Sequence, residues 1–589
     1  MTLSSLPPGA LTCALCLAAL MLIACPSDDT SHDGDTADAV DLVLYGGRIV
    51  TLDDTVPTVE ALAIHDQRIV AAGARSEVEP LVGATTRVVE LPEGALAVPG
   101  FTDGHAHFLG LGDMKIQLDL RAASSWGEIV ALVAAAAAEA PPGTWIRGRG
   151  WHQDKWTTPP EPSLEGFPLH DALSAATPDH PVLLTHASGH ALLANAKAME
   201  LGGVDASTPD PPGGELLRTA DGSPSGLFNE TAQDLIHSAR GGEDAWLEDE
   251  MRRMVELASE EALSKGLTSF HDAGSPLPVV EFLRRAADDG SLGVRLWVML
   301  QGSNDELATS LDAARLDGDD TRHMLEVGGI KRYMDGALGS RGAWLLEPYD
   351  DEPTTDGLAL STLDDLRETA RLAREHGYQL CVHAIGDRAN REVLDLFADS
   401  YAAAGENADL RWRIEHVQHL DPADISRFAT LGVVASMQPV HATSDGPWVP
   451  DRIGDERAAG GAYVWRALLD SGAVIVSGTD APVEDVDPIA NFHAAVTRQL
   501  RDGSLFYPEQ SLSREEALVA ATRDAAWSVF QEADKGRLAV GQLGDVTVLS
   551  KDILTVPDDE ILDAKVLYTI VGGTVAYEAA DDETVASDP

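Results

Sequence analysis

Residues 98–107 read VPGFTDGHAH. A short apolar run leads into Pro99 and Gly100, and the stretch closes on His105 and His107 with Ala106 between them. In an extended segment residues i and i+2 share a face, so the two imidazoles can reach one ion. Two unrelated polar loop residues would look the same. The choice between them depends on what stands at the ends of the other strands.

Working outward, apolar strand-like runs alternate with Ala/Leu/Glu-rich helical runs through the middle of the chain. The strand candidates are 97–102, 267–271, 293–300, 329–334, 378–383, 410–415, 433–438 and 473–479. Strands alternating with helical stretches predict a parallel sheet with helical crossovers. Eight of them predict an α/β fold, a (β/α)8 TIM-like barrel, with its chemistry at the C-terminal strand ends. One crossover is far too long. Residues from about 110 to 260 are read as an insertion after the first strand, near the barrel mouth, and as a candidate substrate lid. Both chain ends carry alternating apolar residues with Gly-Gly turns, as in LYGGRIV (44–50) and IVGGTVA (570–576). These predict hairpins that build one small β-sandwich from the two ends. The expected divisions are 41–98 and 536–580 for the sandwich, and 99–535 for the barrel.

The first barrel strand ends at His105 and His107. The fourth carries Lys331, the fifth ends at His383, the sixth at His416 and the eighth at Asp480. Imidazole nitrogen and carboxylate oxygen suit divalent transition metals, zinc especially. A lysine beside such ions would be repelled as an ammonium, but burial lets it lose its proton. The neutral amine can take up carbon dioxide and become a bidentate carbamate able to bridge two metals. Two ions about 3.5–4 Å apart make a shared water acidic near neutral pH. Asp480 could hold one ion and carry the proton from the attacking water to the leaving amine.

The set PGFTDGHAHF, GLTSFHDAG, IKRYMDGALGSRGA, VHAIGDRAN, RIEHVQH, SMQPVH, SGTDAPVEDVDP and ALVAATRDAAW resembles the amidohydrolase superfamily. The likeness runs from about residue 41 to 578. It is strongest to the third amidohydrolase domain family, which includes N-substituted formamide deformylases. The resemblance implies a binuclear centre, usually zinc, on a distorted barrel. It places the ligands at His105, His107, Lys331, His383, His416 and Asp480, with Lys331 carbamylated. It implies hydrolysis of a non-peptide carbon–nitrogen bond in a small molecule: an amide, N-formyl or N-acyl group. The same centre could serve an esterase, a lactonase or a cyclic-imide hydrolase. An inactive surface binding protein would be signalled by an unusual residue at a ligand position, and none is present.

Around that set, Asp335 and Arg341 follow Lys331, Asp272 ends the second strand, and Gln438 ends the seventh. Each is a candidate to orient a ligand or touch substrate. His190, in SGHALLAN, matches a family feature of the insertion and is a candidate substrate contact. His419 and His441 read as solvated loop positions, and Cys381 as a buried, inert thiol. Trp145, Trp151 and Trp156 fit either an apolar substrate wall or a core for the insertion.

Composition bounds the partners. Against 42 Lys+Arg the chain carries 96 Asp+Glu, a formal net charge of −54, which repels nucleic acid and anionic lipid heads. Residues 1–24 read as an export signal: the apolar run 10–24 is short for a membrane span, although no Lys or Arg precedes it. The run ends in Leu-Ile-Ala-Cys, which resembles a bacterial lipobox, with Cys25 the lipidated residue and 25–40 an acidic tether. The expectation is an exported lipoprotein anchored to a membrane of the cell envelope, with assembly as a homodimer left open. With Cys13 and Cys16 in the signal and Cys25 acylated, only Cys381 remains, so no disulfide framework survives.

Overall fold

The computed structural model describes residues 39–580, except 154–155, 188, 190, 212–213, 241–247, 316–322 and 406–407. The signal stretch, Cys25 and His190 lie outside the described residues. Among the described residues no helix is long and apolar enough to cross a membrane.

Eight strands form one parallel sheet in sequence order: Phe101–Ala106, Leu267–Pro276, Arg295–Gln301, Leu325–Tyr333, Gln379–Ala384, Arg413–His416, Val434–Met437 and Ile475–Ser477. We call them barrel strands one to eight. Their runs are buried on both faces, as in Leu296–Leu300, where every residue is in the core. That continuous apolar character is what helices covering a parallel sheet require. The segment between strands four and five shows how the crossovers are written. Thr362 accepts a hydrogen bond from the Asp365 amide and starts the helix Leu363–His376. Leu366, Ala370 and Ala373 turn one face inward, and Gly377, at φ +72°, stops the helix.

The sheet closes through its ends rather than through a ladder. The Asp480 amide donates to the His105 carbonyl (2.7 Å), and the His107 amide to the Ala481 carbonyl (2.7 Å). Two glycines make room for this approach. A Cβ on Gly104 would lie 2.7 Å from the Ser477 carbonyl oxygen, and one on Gly478 would lie 2.4 Å from the His105 nitrogen. The first barrel strand differs in its limits from the sequence expectation. Residues 97–99 finish the preceding strand, Arg87–Pro99, and the barrel strand starts at Phe101. Gly100 marks the change of sheet.

The two chain ends meet in one continuous seven-stranded sheet. Its order is Thr574–Glu578, Val566–Val571, Val546–Leu549, Arg87–Pro99, Leu42–Val50, Thr58–His65, Arg68–Gly73. The join is antiparallel pairing of Val546–Leu549 with Leu96–Pro99, so the ends are not independent caps. The strand Leu42–Val50 breaks register after Tyr45, where Gly46 and Gly47 adopt φ of +89° and +56°. There the sheet folds into a sandwich over a shared core that includes Leu44, Ile64, Val89, Val548 and Ile570.

The insertion is a small α/β unit around a six-stranded sheet running from Leu118–Asp119 to Pro224–Glu230 and Gly214–Arg218. Trp126, Trp151 and Trp156 stack in its own core, with centroids 6.1–6.3 Å apart for the Trp156 pairs. The Trp151 indole donates to the Leu184 carbonyl (2.9 Å). Trp145 packs on a second core of the same unit. The tryptophans therefore serve packing.

Sandwich and barrel are pinned by a buried ion pair. Arg295, on strand three, donates to both oxygens of Asp545, at 2.7 and 2.9 Å, with both side chains almost wholly buried. The Gly572 amide adds a third bond to Asp545 at 2.8 Å. Removing one partner of a buried pair strands the other charge. Asp545→Ala should therefore cost about 3–5 kcal/mol, read as a lower urea midpoint. An unchanged midpoint would show that the pair does not hold the two units together.

Candidate metal centre

Strand one delivers His105 and His107, and the turn after strand eight delivers Asp480. The Asp480 carboxylate oxygen Oδ1 lies 3.6 Å from His105 Nε2 and 3.3 Å from His107 Nε2. Asp480 holds a left-handed backbone (φ +60°), as does His416 (φ +79°). Neither is glycine, and such conformations cost of order 1–3 kcal/mol each. They are held here by the strand-end hydrogen bonds, and they aim both side chains at one point.

His105 is fully buried. Its Nδ1 lies 2.5 Å from Glu415 Oε2. A carboxylate only accepts, so Nδ1 carries the proton and Nε2 keeps its lone pair. Glu415 in turn takes bonds from Arg413 Nε (2.8 Å) and Nη2 (3.0 Å). Burial alone would raise the Glu415 carboxyl, but Arg413 and His105 outweigh it and hold it well below the usual carboxylate range. Burial, helped by the Lys331 charge, pulls His105 down to about 4. His416 is set the same way: its Nδ1 lies 2.8 Å from Gln438 Oε1, and burial pulls it well below the ordinary histidine range.

His383 stands against His416, with ring centroids 4.4 Å apart, and its Nε2 lies 3.7 Å from Asp335 Oδ1. Asp335 is buried and accepts from the amides of Trp344 (2.8 Å), Ile385 (2.9 Å) and Gly386 (2.8 Å). Burial nevertheless pushes its carboxyl up to about 7. Lys331 is buried, with Nζ 3.4 Å from His105 Nε2, and burial lowers its ammonium from the ordinary value.

The residues present fit a divalent transition metal. His105, His107 and Asp480 offer donor atoms within 4.8 Å of one another, and ring nitrogens of His416 and His441 lie as close to an Asp480 oxygen. All are nitrogen or carboxylate oxygen, the donors zinc prefers. Two of the histidines are held by acceptors on their far nitrogens, the usual support for a ligating imidazole. Lys331 and His383 complete the same strand-end cluster.

The weaker candidates divide. Asp272 faces the cavity but is occupied by the Phe108 amide (2.8 Å) and the Ser275 hydroxyl (2.6 Å). Gln438 orients His416, and Asp335 sits beside His383. Arg341 does not join them. At φ +61° its side chain turns away to Asp351, 2.8 Å from Nη2. Cys381 is buried among Ala273, Trp297 and Met299, and burial raises its thiol.

Some residues around the site were misread or missed from sequence. His441 and His419 are buried, not solvated. His441 Nε2 approaches Asp480 Oδ2 at 3.8 Å. The Arg413–Glu415 pair had a signal: two charged residues two apart in the four-residue strand RIEH must share a face. Above the cluster opens a cavity of about 1440 Å3. The barrel supplies its floor, and Arg149, His152, His186, Gln233 and Arg240 of the insertion line the facing wall.

Glu415→Gln keeps the shape but removes the charge that holds His105 in its ligating tautomer. Metal affinity should fall about 10–100-fold, measured by competition with a chelator of known affinity. Unchanged affinity would show that His105 does not depend on Glu415.

The comparisons with known proteins agree with this geometry. The family described as "Amidohydrolase family" matches residues 90–577. Protein LONG AFTER FAR-RED 3 of Arabidopsis thaliana is 33% identical, with 91% of each chain covered. The N-substituted formamide deformylase of Arthrobacter pascens is 26% identical over 91% of this chain and 98% of its own. A crystal structure of an uncharacterized metal-dependent hydrolase from Pyrococcus horikoshii OT3 superposes with a TM-score of 0.73 at 26% identity. It covers 88% of this chain and 99% of the other. A barrel carrying this strand-end cluster, matched along nearly its whole length, belongs to the amidohydrolase family.

Proposed function

We propose that the protein is a metal-dependent hydrolase of a non-peptide carbon–nitrogen bond in a small molecule. The observation that carries this reading is the approach of Asp480 Oδ1 to the Nε2 atoms of both His105 and His107 at the floor of a large cavity. His105, His107, His383, His416 and Asp480 would hold one or two divalent ions, zinc first, and Lys331, as a carbamate, would join the donor set. A divalent ion bound there supplies Lewis acidity to the substrate carbonyl and to water. The chain's own residues do the rest. Glu415 and Gln438 fix the rings of His105 and His416. Asp480 takes the proton of the attacking water at a carboxylate oxygen and returns it to the leaving nitrogen. The insertion wall excludes bulk water and selects the substrate. The carbon–nitrogen class rests on the family and on the formamide-cleaving relative from Arthrobacter pascens.

The test measures metal content by mass spectrometry and turnover on N-formyl amines, N-acyl amines, cyclic imides and lactones. The expected result is one to two equivalents of metal, turnover of the N-formyl or N-acyl compounds, and loss of activity on chelation that zinc restores. Asp480→Asn should lower kcat by at least about 10²-fold. Turnover of lactones alone would overturn the bond assignment, and a metal-free active enzyme would overturn the mechanism.

We also propose that the chain is exported and lipidated on Cys25, which the sequence Leu22-Ile23-Ala24-Cys25 supports. Cys25→Ser should then move the protein from the membrane fraction to the soluble fraction of a bacterial host. Equal membrane recovery of both forms would contradict this.

A further inference from the structure

His441 differs from His105 and His416 in what holds its far nitrogen. His105 Nδ1 faces a carboxylate and His416 Nδ1 faces an amide oxygen, both acceptors. His441 Nδ1 instead faces Gln418 Nε2, an amide N–H₂, at 3.0 Å. An amide nitrogen only donates, so Nδ1 must accept and the proton of the neutral ring must sit on Nε2. That is the inverse of a ligating tautomer. With its N–H on Nε2, His441 has no lone pair there for a metal.

The N–H sits at the edge of the active site, turned toward Asp480. His441 is buried, lines the cavity and stacks nearly parallel to His416, with interplanar angle 9° and centroids 6.3 Å apart. Its Nε2 has no hydrogen-bond partner among the described residues. Asp480 Oδ2 is 3.8 Å away, beyond hydrogen-bond length. The two oxygens of Asp480 thus divide: Oδ1 faces His105 and His107, and Oδ2 faces the His441 N–H. A substrate atom entering beside Asp480 meets a buried, preset donor on its other side.

We infer that His441 is a further catalytic residue. It donates a hydrogen bond from Nε2 to the substrate's carbonyl oxygen as that oxygen gains negative charge, and Gln418 is the positioning residue that fixes its tautomer. No proton changes owner in this role. The carbonyl π electrons move onto oxygen as water attacks carbon, and the donor stabilises that charge. The inference rests on the proposed hydrolysis of a carbonyl–nitrogen bond and adds the group that stabilises its oxyanion.

The experiment uses the full metal-loaded protein and three variants. In His441→Phe, metal content should equal wild type, kcat should fall about 10²–10³-fold, and KM should change little. His441→Gln restores an N–H donor and should recover part of kcat. Gln418→Glu presents an acceptor to Nδ1 and inverts the tautomer, so it should lower kcat with metal retained. Independently of turnover, nitrogen-15 NMR of histidine-labelled protein should place the His441 proton on Nε2 in wild type and on Nδ1 in Gln418→Glu. Loss of a metal equivalent in His441→Phe, a protonated Nδ1 in wild type, or a kcat within threefold of wild type would overturn the inference. A wild-type enzyme that turns over no carbonyl–nitrogen substrate would instead sink the proposed function, and the NMR spectrum would then decide the tautomer by itself.

Discussion

Asp103 ties the first barrel strand to the last. Its Oδ1 accepts from the amides of His105 (3.2 Å) and Thr479 (3.0 Å), and its Oδ2 from the Thr479 hydroxyl (2.5 Å). Burial raises this carboxyl to about 6 in spite of those bonds. One buried side chain thus joins positions 376 residues apart in sequence. The rest of the site depends on that closure. His105 and His107 come from one end of the barrel and Asp480 from the other, and they can meet only where the sheet shuts. Gly104 and Gly478 are the steric condition for the same contact, because a methyl group on either would hold the strands apart.

Beneath the cluster lies a second constraint, the buried chain Arg413–Glu415–His105. Removing charges from water costs several kcal/mol per ion. Here every charge is satisfied: Arg413 reaches both oxygens of Glu415, the Gly104 carbonyl (2.7 Å) and the Ser436 hydroxyl (2.8 Å). Such an array adds little net stability over an apolar core of the same shape. What it adds is orientation. It spans strands one, six and seven and leaves His105 with one lone pair, on Nε2, turned toward Lys331 and Asp480. Gln438 on His416 and Gln418 on His441 repeat the device with opposite outcomes. The tautomers of the site are thus written in the residues behind it.

Much of this was legible in the sequence. The eight strands stood out because parallel strands buried on both faces are unbroken apolar runs, and the metal-type residues stood out because they close those runs. Arg341 shows a limit. Its nearness to Lys331 in sequence suggested the pocket, but a left-handed turn at Arg341 sends the side chain to Asp351. His441 shows another: its helix begins at Pro439, right after strand seven, and only the three-dimensional path reveals that it buries the ring against Asp480. The sandwich was expected from both ends, but its being one folded sheet depends on the pairing of residues 96–99 with 546–549, which no local pattern announces. The insertion's fold was hidden for a related reason: its sheet is stitched from strands of two to seven residues in non-sequential order.

Site, tautomers and proposed chemistry all require that the strand ends converge on a metal. Crystals of the zinc-loaded protein, measured on both sides of the zinc absorption edge, test this. An anomalous peak is expected about 2.0–2.2 Å from the Nε2 atoms of His105 and His107 and from an Asp480 oxygen, with His441 outside the coordination sphere. A peak bound only by residues of the insertion, or no peak at the strand ends, would refute the convergence.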